Sequence, residues 1–260
     1  MKKMPGSIVV ALFACALGAQ AGYRPFTYTY DTYPMGQGNW ELEQWVTFKH
    51  HTREDSGYAR WDFREEIEYA VTENFQLALY LPKWRIEDSR ERNGAQFDQV
   101  SLEGVYLLSN PVTDALGVGF YGEVGVGERG TVEGEVKLLL HKDVGPLTLA
   151  YNLIAETEVE NVGRSGDHDV EGVLGHALGL SVALTGGWRL GGEAVVETVL
   201  ADWRRYEHTT AYAGPAISYH GGNVGRSQAS WWFSVTPTFQ LTSRDDEPDY
   251  VTRLIAGLSF

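Results

Sequence analysis

From Trp40 to Phe260 the chain repeats one pattern, in which apolar side chains alternate with charged or hydroxylated ones, and no apolar run after Ala21 reaches the ~18 residues of a membrane helix. The longest candidate, Val173 to Leu184, is short and contains His176. A period of two means extended strands whose two faces meet different surroundings. In "NWELEQWVTFKH", Trp40, Leu42, Val46 and Phe48 alternate with Glu41, Glu43, Thr47 and Lys49; in the next segment Trp61, Phe63, Ile67, Tyr69 and Val71 alternate with Arg60, Asp62, Arg64, Glu66 and Glu68. Glu65 falls on the apolar face and calls for a bulge or a position near a membrane boundary. The last residues follow the same rule: Leu254, Ala256, Leu258 and Phe260 share one face, opposite Arg253, Gly257 and Ser259.

About twelve such strands are expected along the chain. The connections divide into tight ones, such as "NPVTDA", "KDVGP" and "TGG", and charged ones, such as "HHTREDSG", "EDSRERNGA", "ENVGRSGDHD", "ADWRRYEH" and "SRDDEPD". Glu128-Arg129-Gly130 on the long side and "GGNVGRS" on the short side break this order.

The first residues carry a different signal. Met1-Lys2-Lys3, an apolar run from Ile8 to Ala19 and the small-x-small site Ala19-Gln20-Ala21 have the form of a secretory signal peptide. The domain reading is a signal peptide over 1–21, a periplasmic N-terminal segment over 22–39 and a barrel over 40–260. Cys15 is the only cysteine, so cleavage after Ala21 leaves no thiol. The net charge is −14 and grows more negative when Lys2 and Lys3 leave, which argues against a nucleic-acid partner.

A soluble two-sheet sandwich would also alternate. An export signal, an even strand count, turns that are short on one side and charged on the other, and aromatic residues at strand ends favour an all-β, antiparallel transmembrane β-barrel of about 12 strands in the bacterial outer membrane. Such a barrel must pair its last strand with its first, because unpaired backbone groups in lipid cost several kcal/mol each. That requirement explains a strand pattern running to the final residue.

The residues opposite the apolar faces are the candidate lumen lining: Glu41, Glu43, Arg64, Glu66, Glu68, Glu103, Glu123, Glu133, Glu135, Lys137, Arg189, Glu193, Glu197 and Arg253. Two readings fit them equally. They line a narrow water path or small-ligand site, or they pair with one another as a packed polar plug.

Other motifs are weaker. "GVGFYG" and "GVGERG" match a dinucleotide fingerprint, but their glycines alternate within a strand and open no helix. The run His51 to Ser56, with His141, His176 and His220 near strand ends, supplies residue types for hydrolysis without a triad arrangement. Asp167-His168-Asp169 and the acidic residues from Asp245 to Asp249 read as solvated loops. No catalytic residue, metal or cofactor is expected.

Leu254, Ala256, Leu258 and terminal Phe260 resemble the closing signal of bacterial outer-membrane barrels that their assembly machinery recognises. "YRPFTYTYDTYPMGQGNWELEQWVTF" is similar to the start of the phenol meta-cleavage pathway outer-membrane transporter family, in Arg24-Pro25-Phe26, Thr27, Asp31, Gly36, Gly38 and Trp40-Glu41-Leu42-Glu43. "AGPAISY" adds a later match, whereas Tyr28-Thr29-Tyr30 stands where that family carries an acidic pair. The resemblance implies outer-membrane lipid, the barrel assembly machinery and a small, aromatic solute as partners. The expected function is a porin-like passive channel or transporter, favouring cations because inward Glu outnumber Arg and Lys. An outer-membrane lipid hydrolase and a structural barrel with a plugged lumen are the alternatives.

Overall fold

The computed structural model describes residues 23–90, 92–164, 168–222 and 229–260; the expected signal peptide lies outside them. The strands are β1 (Trp40–His50), β2 (Ala59–Thr72), β3 (Phe75–Tyr80), β4 (Trp84–Asp88), β5 (Asn93–Phe97), β6 (Gln99–Ser109), β7 (Gly117–Gly127), β8 (Val132–Val144), β9 (Leu147–Val159), β10 (Val170–Ala183), β11 (Trp188–Ala201), β12 (Arg205–Gly221), β13 (Ser230–Gln240) and β14 (Tyr250–Ser259). They form one antiparallel sheet, and β1 pairs with both β2 and β14, which closes it.

Two of the fourteen are extensions. The register of β3 on β6 continues unbroken as β4 on β5, so these four segments are the arms of one long hairpin, and the wall has twelve staves. Both ends of the charged stretch expected as a loop after Ile86, Glu87-Asp88 and Asn93 to Ala95, are therefore strand. A bulge at Leu81-Pro82-Lys83 separates the two parts of the arm, since the β2 register shifts by one residue there. Leu81 donates its N–H to the Glu65 carbonyl at this bulge, next to the residue that broke the alternation.

The seam holds the last residue. Trp40 N–H donates to the Phe260 carbonyl at 2.8 Å and Phe260 N–H returns the bond at 2.9 Å, beyond a ladder from Glu41↔Ser259 to His50↔Tyr250. A weaker place lies between β12 and β13. Pairing runs through Ala213↔Phe239 and resumes at Ile217↔Val235; Pro215 and Pro237, which have no N–H to donate, fall in the gap.

The two faces are inverted relative to a soluble protein. Leu102 is 57% exposed while its neighbour Glu103 is 2% exposed, as lipid outside and polar groups inside require. Leu254, Leu258 and Phe260 are likewise exposed outward. Aromatic clusters sit near both rims of this belt: Trp188, Tyr219, Trp231 and Phe233 at the side of the tight turns, and stacked Phe48/Trp61 and Phe63/Trp84 at the other. Indole and phenol rings suit a lipid-water boundary because they present an apolar body and a polar tip.

One expectation is corrected. The segment expected to lie in the periplasm before the barrel enters it instead: Tyr23, Phe26, Thr27, Thr29, Thr32 and Met35 are all buried among inner-wall side chains. The physical reason is that the lower lumen carries carboxylates and apolar groups which the wall alone leaves unpaired.

Candidate functional site

The lumen divides into two storeys. The lower one, toward the tight turns and the termini, is filled by residues 23–39. Arg24 crosses to the inner faces of β1 and β2, where its guanidinium lies 2.9 Å from Glu43, 2.5 Å from Glu68 and 3.7 Å from Glu66. Oxygens of these three carboxylates lie within 4.8 Å of one another, the spacing of a cation site, and the cation among them is the chain's own arginine. Stacking on Tyr30, at 4.4 Å from the ring centroid, fixes the guanidinium further.

Across the lumen, Glu193 of β11 holds the next residues. Its carboxylate accepts the backbone N–H groups of Thr27 (2.8 Å), Tyr28 (2.8 Å) and Thr29 (2.9 Å), and the hydroxyls of Thr27 and Thr236. Three successive amides aimed at one carboxylate satisfy donors that have no ladder partner. Asn152 of β9 treats Tyr30 as a strand neighbour would, accepting its N–H at 2.7 Å and donating to its carbonyl at 2.9 Å. Thr32 N–H then donates to His141, and the Tyr33 hydroxyl to Asp143.

Apolar contacts complete the filling. Tyr23 packs with Trp45, Trp232 and Ile255; Tyr30 meets Val105, Leu107, Tyr121 and Leu139; Tyr28 meets Ile154, Ala177 and Val195. Glycine makes room at two points. A Cβ on Gly179 would lie 2.8 Å from the Phe26 ring, and one on Gly117 would lie 2.1 Å from the Thr32 hydroxyl. Gly117 opens the first of the two glycine motifs, whose role here is clearance.

The upper storey is a cavity of about 370 Å³ whose floor is Tyr28 and Tyr30 of the same segment. Arg64, Glu123, Glu133, Glu135, Lys137, Glu197 and Arg253 line it. A smaller cavity of about 50 Å³ lies below Tyr30, lined by Glu41, Glu68 and Glu103. The remaining candidates sit elsewhere: Glu43 and Glu66 under Arg24, Glu193 on the segment's amides, and Arg189 on the hydroxyls of Thr148 and Ser181. The inward carboxylates thus do not form one continuous ring. Asn152, His141, Thr236 and Trp45, which hold the segment, were absent from the candidate set; an inward tryptophan in a supposedly wet lumen was the available signal.

Two histidines outside the lower storey have side-chain partners. His51 bonds Asp249 at 2.7 Å and His176 bonds the Tyr151 hydroxyl at 2.7 Å, and among the described residues no serine hydroxyl bonds a histidine.

A family model described as a family of unknown function, DUF6662, matches residues 18–252. No curated protein matches the chain. Among solved structures, the COG4313 outer membrane channel from Pseudomonas putida F1 is 11% identical, with a TM-score of 0.58 over 92% of this chain and 100% of that one. The NanC porin is 10% identical, with a TM-score of 0.54 over 84% of this chain and 98% of that one. The fold is that of Gram-negative outer-membrane channels.

Proposed function

The chain belongs to the DUF6662 family, and we propose that it is a passive outer-membrane channel for small solutes whose own residues 23–39 close the lower lumen. One observation carries the reading: a wet vestibule open on the charged-loop side ends on a segment held by side chains and not by a strand ladder. A segment anchored in that way is released by breaking a few side-chain bonds, while the wall stays intact. A barrel meant only as a structural element gains nothing from a vestibule of that size over a tethered floor.

Cations and aromatic compounds remain candidate solutes. Tyr28, Tyr30, Trp45, Tyr121 and Tyr212 give the vestibule aromatic surface, and the carboxylates beneath Arg24 would attract cations once the segment withdraws. Bilayer conductance of the refolded protein tests the reading. Wild type should open briefly, and Glu193→Ala, which removes the acceptor of three amides, should stay open far longer. Absence of current from both would make the protein a plugged structural barrel.

A further inference from the structure

The vestibule is charged, but not evenly. Four of its five lysines and arginines, Arg253 on β14, Lys49 on β1, Arg64 on β2 and Lys83 between β3 and β4, occupy four adjacent staves; the fifth, Lys137, is on β8. Its main carboxylates, Glu133 and Glu135 on β8, Glu156 on β9 and Glu197 on β11, occupy the other side. In the ring of twelve staves β14 stands opposite β8, and β1 stands opposite β9.

Local pairing removes part of this charge and leaves the polarity. Arg64 is neutralised by Glu123 on β7, Lys83 by Asp98 and Glu135 by Lys137. Lys49 and Arg60 share the single carboxylate of Asp62, which leaves one positive charge there. Arg253 meets only uncharged acceptors, the Thr47 hydroxyl and the Thr27 carbonyl. Among the described residues, Glu133, Glu156 and Glu197 have no ion-pair partner within 4.0 Å, and no ion pair joins the two walls. Near the upper edge His208 faces Glu247 at 3.8 Å, a local pair that leaves the diameter unchanged.

We propose that the vestibule is a binding site for a zwitterionic solute, one carrying a carboxylate and an ammonium group, oriented across the barrel with the carboxylate on Arg253 and Lys49 and the ammonium on Glu133, Glu156 and Glu197. A simple cation gains from one wall and is repelled by the other, and a simple anion meets the reverse. A dipolar molecule is stabilised at both ends, in a cavity of about 370 Å³ where low-dielectric walls concentrate the field. The inference rests on the channel reading for its purpose, but binding itself requires no transport.

Three peptides of nearly equal size separate the terms: triglycine, N-acetyl-triglycine and triglycinamide. Binding of each to the full-length protein in detergent, followed by ligand-observed NMR, should favour triglycine about tenfold over either singly charged analogue. Lys49→Met should raise the affinity for triglycinamide relative to triglycine, and the isosteric Glu156→Gln should do so for N-acetyl-triglycine. Equal affinities for the three peptides, or variants that leave their affinity ratios unchanged, would overturn the proposal. Swelling of liposomes containing the protein separates this failure from that of the channel reading: entry of all three at equal rates keeps the channel and rejects the site, whereas selective binding without entry keeps the site and rejects the channel.

Discussion

The two storeys of the lumen are built from the same staves and the same alternation, yet their interiors differ. Below, the wall supplies Glu43, Glu66, Glu68 and Glu193, and the cation and amide donors that answer them come from residues 24–29. Above, cations and carboxylates are both wall residues, and those left over after local pairing, Arg253 and Lys49 against Glu133, Glu156 and Glu197, stand on opposite sides of the cavity. A barrel interior is therefore not set by its polarity alone. Where the wall's charges lack wall partners, another part of the chain supplies them, and where they face each other across water, a ligand can.

That contrast is broken most easily at Arg24. Replacing it by Met leaves Glu43 and Glu68 without their counter-charge, and removing one member of a buried ion pair costs about 3–5 kcal/mol. Amide hydrogen exchange at Thr27, Tyr28 and Thr29 should lose most of its protection, and the channel should remain open. The wall should not respond, because its ladder is independent of the segment; strand amides of β8 to β11 should exchange as in wild type. If those strands also lose protection, the storeys are not separable and the comparison fails. A smaller effect is expected from Glu193→Gln. The amide oxygen can still accept the Tyr28 and Thr29 N–H groups as neutral bonds, at a cost of about 1 kcal/mol each, but the new NH2 group cannot accept from Thr27, so protection of the Tyr28 and Thr29 amides should fall roughly 30-fold or more.

How much of this was legible in the sequence differs between the two regions. The wall was readable because alternation is a local property: Leu102 beside Glu103 and Leu258 beside Ser259 state their faces without reference to any other part of the chain. The filled lower lumen was not, because it depends on contacts between residues as distant as Thr27 and Glu193. One local sign existed at Gln44 and Trp45, where the alternation inverts. Trp45 points inward, 7% exposed, against Tyr23 and beneath Arg24, and a tryptophan in that position has no reason to face water. The hairpin of β4 and β5 was misjudged for the opposite reason: Glu87 and Asp88 before its turn and Asn93, Gly94 and Ala95 after it look like a loop, but a strand projecting beyond the membrane has water on both faces and no alternation to keep.

Finer variants sharpen the picture of the floor between the storeys. The Tyr30 hydroxyl meets Tyr80 at 3.0 Å and Glu103 at 3.1 Å, while Tyr80 keeps its own bond to Glu103. Tyr30→Phe should therefore cost only about 1 kcal/mol and raise open-channel lifetime a few-fold, since the remaining pair stays satisfied.

Asp31→Asn should act in the opposite direction. Burial pushes the Asp31 carboxyl above its ordinary value, and His141 opposes that shift only in part. A carboxyl whose pKa is higher when docked binds its proton more tightly in the docked segment than in a released one. It therefore stabilises docking fully below its ordinary value, and this contribution is lost as pH rises through the elevated one. Asn cannot ionise, and its carbonyl can still accept the Tyr33 N–H that Asp31 now accepts at 2.8 Å. The variant should hold the segment more firmly at neutral pH and lower conductance there, while at acidic pH it should match wild type. Single-channel recordings over a pH series read both ends of that comparison. If Asp31→Asn instead conducts more than wild type at neutral pH while the two traces coincide at acidic pH, a charged Asp31 anchors the segment, and the assignment of strain to this carboxylate would be wrong.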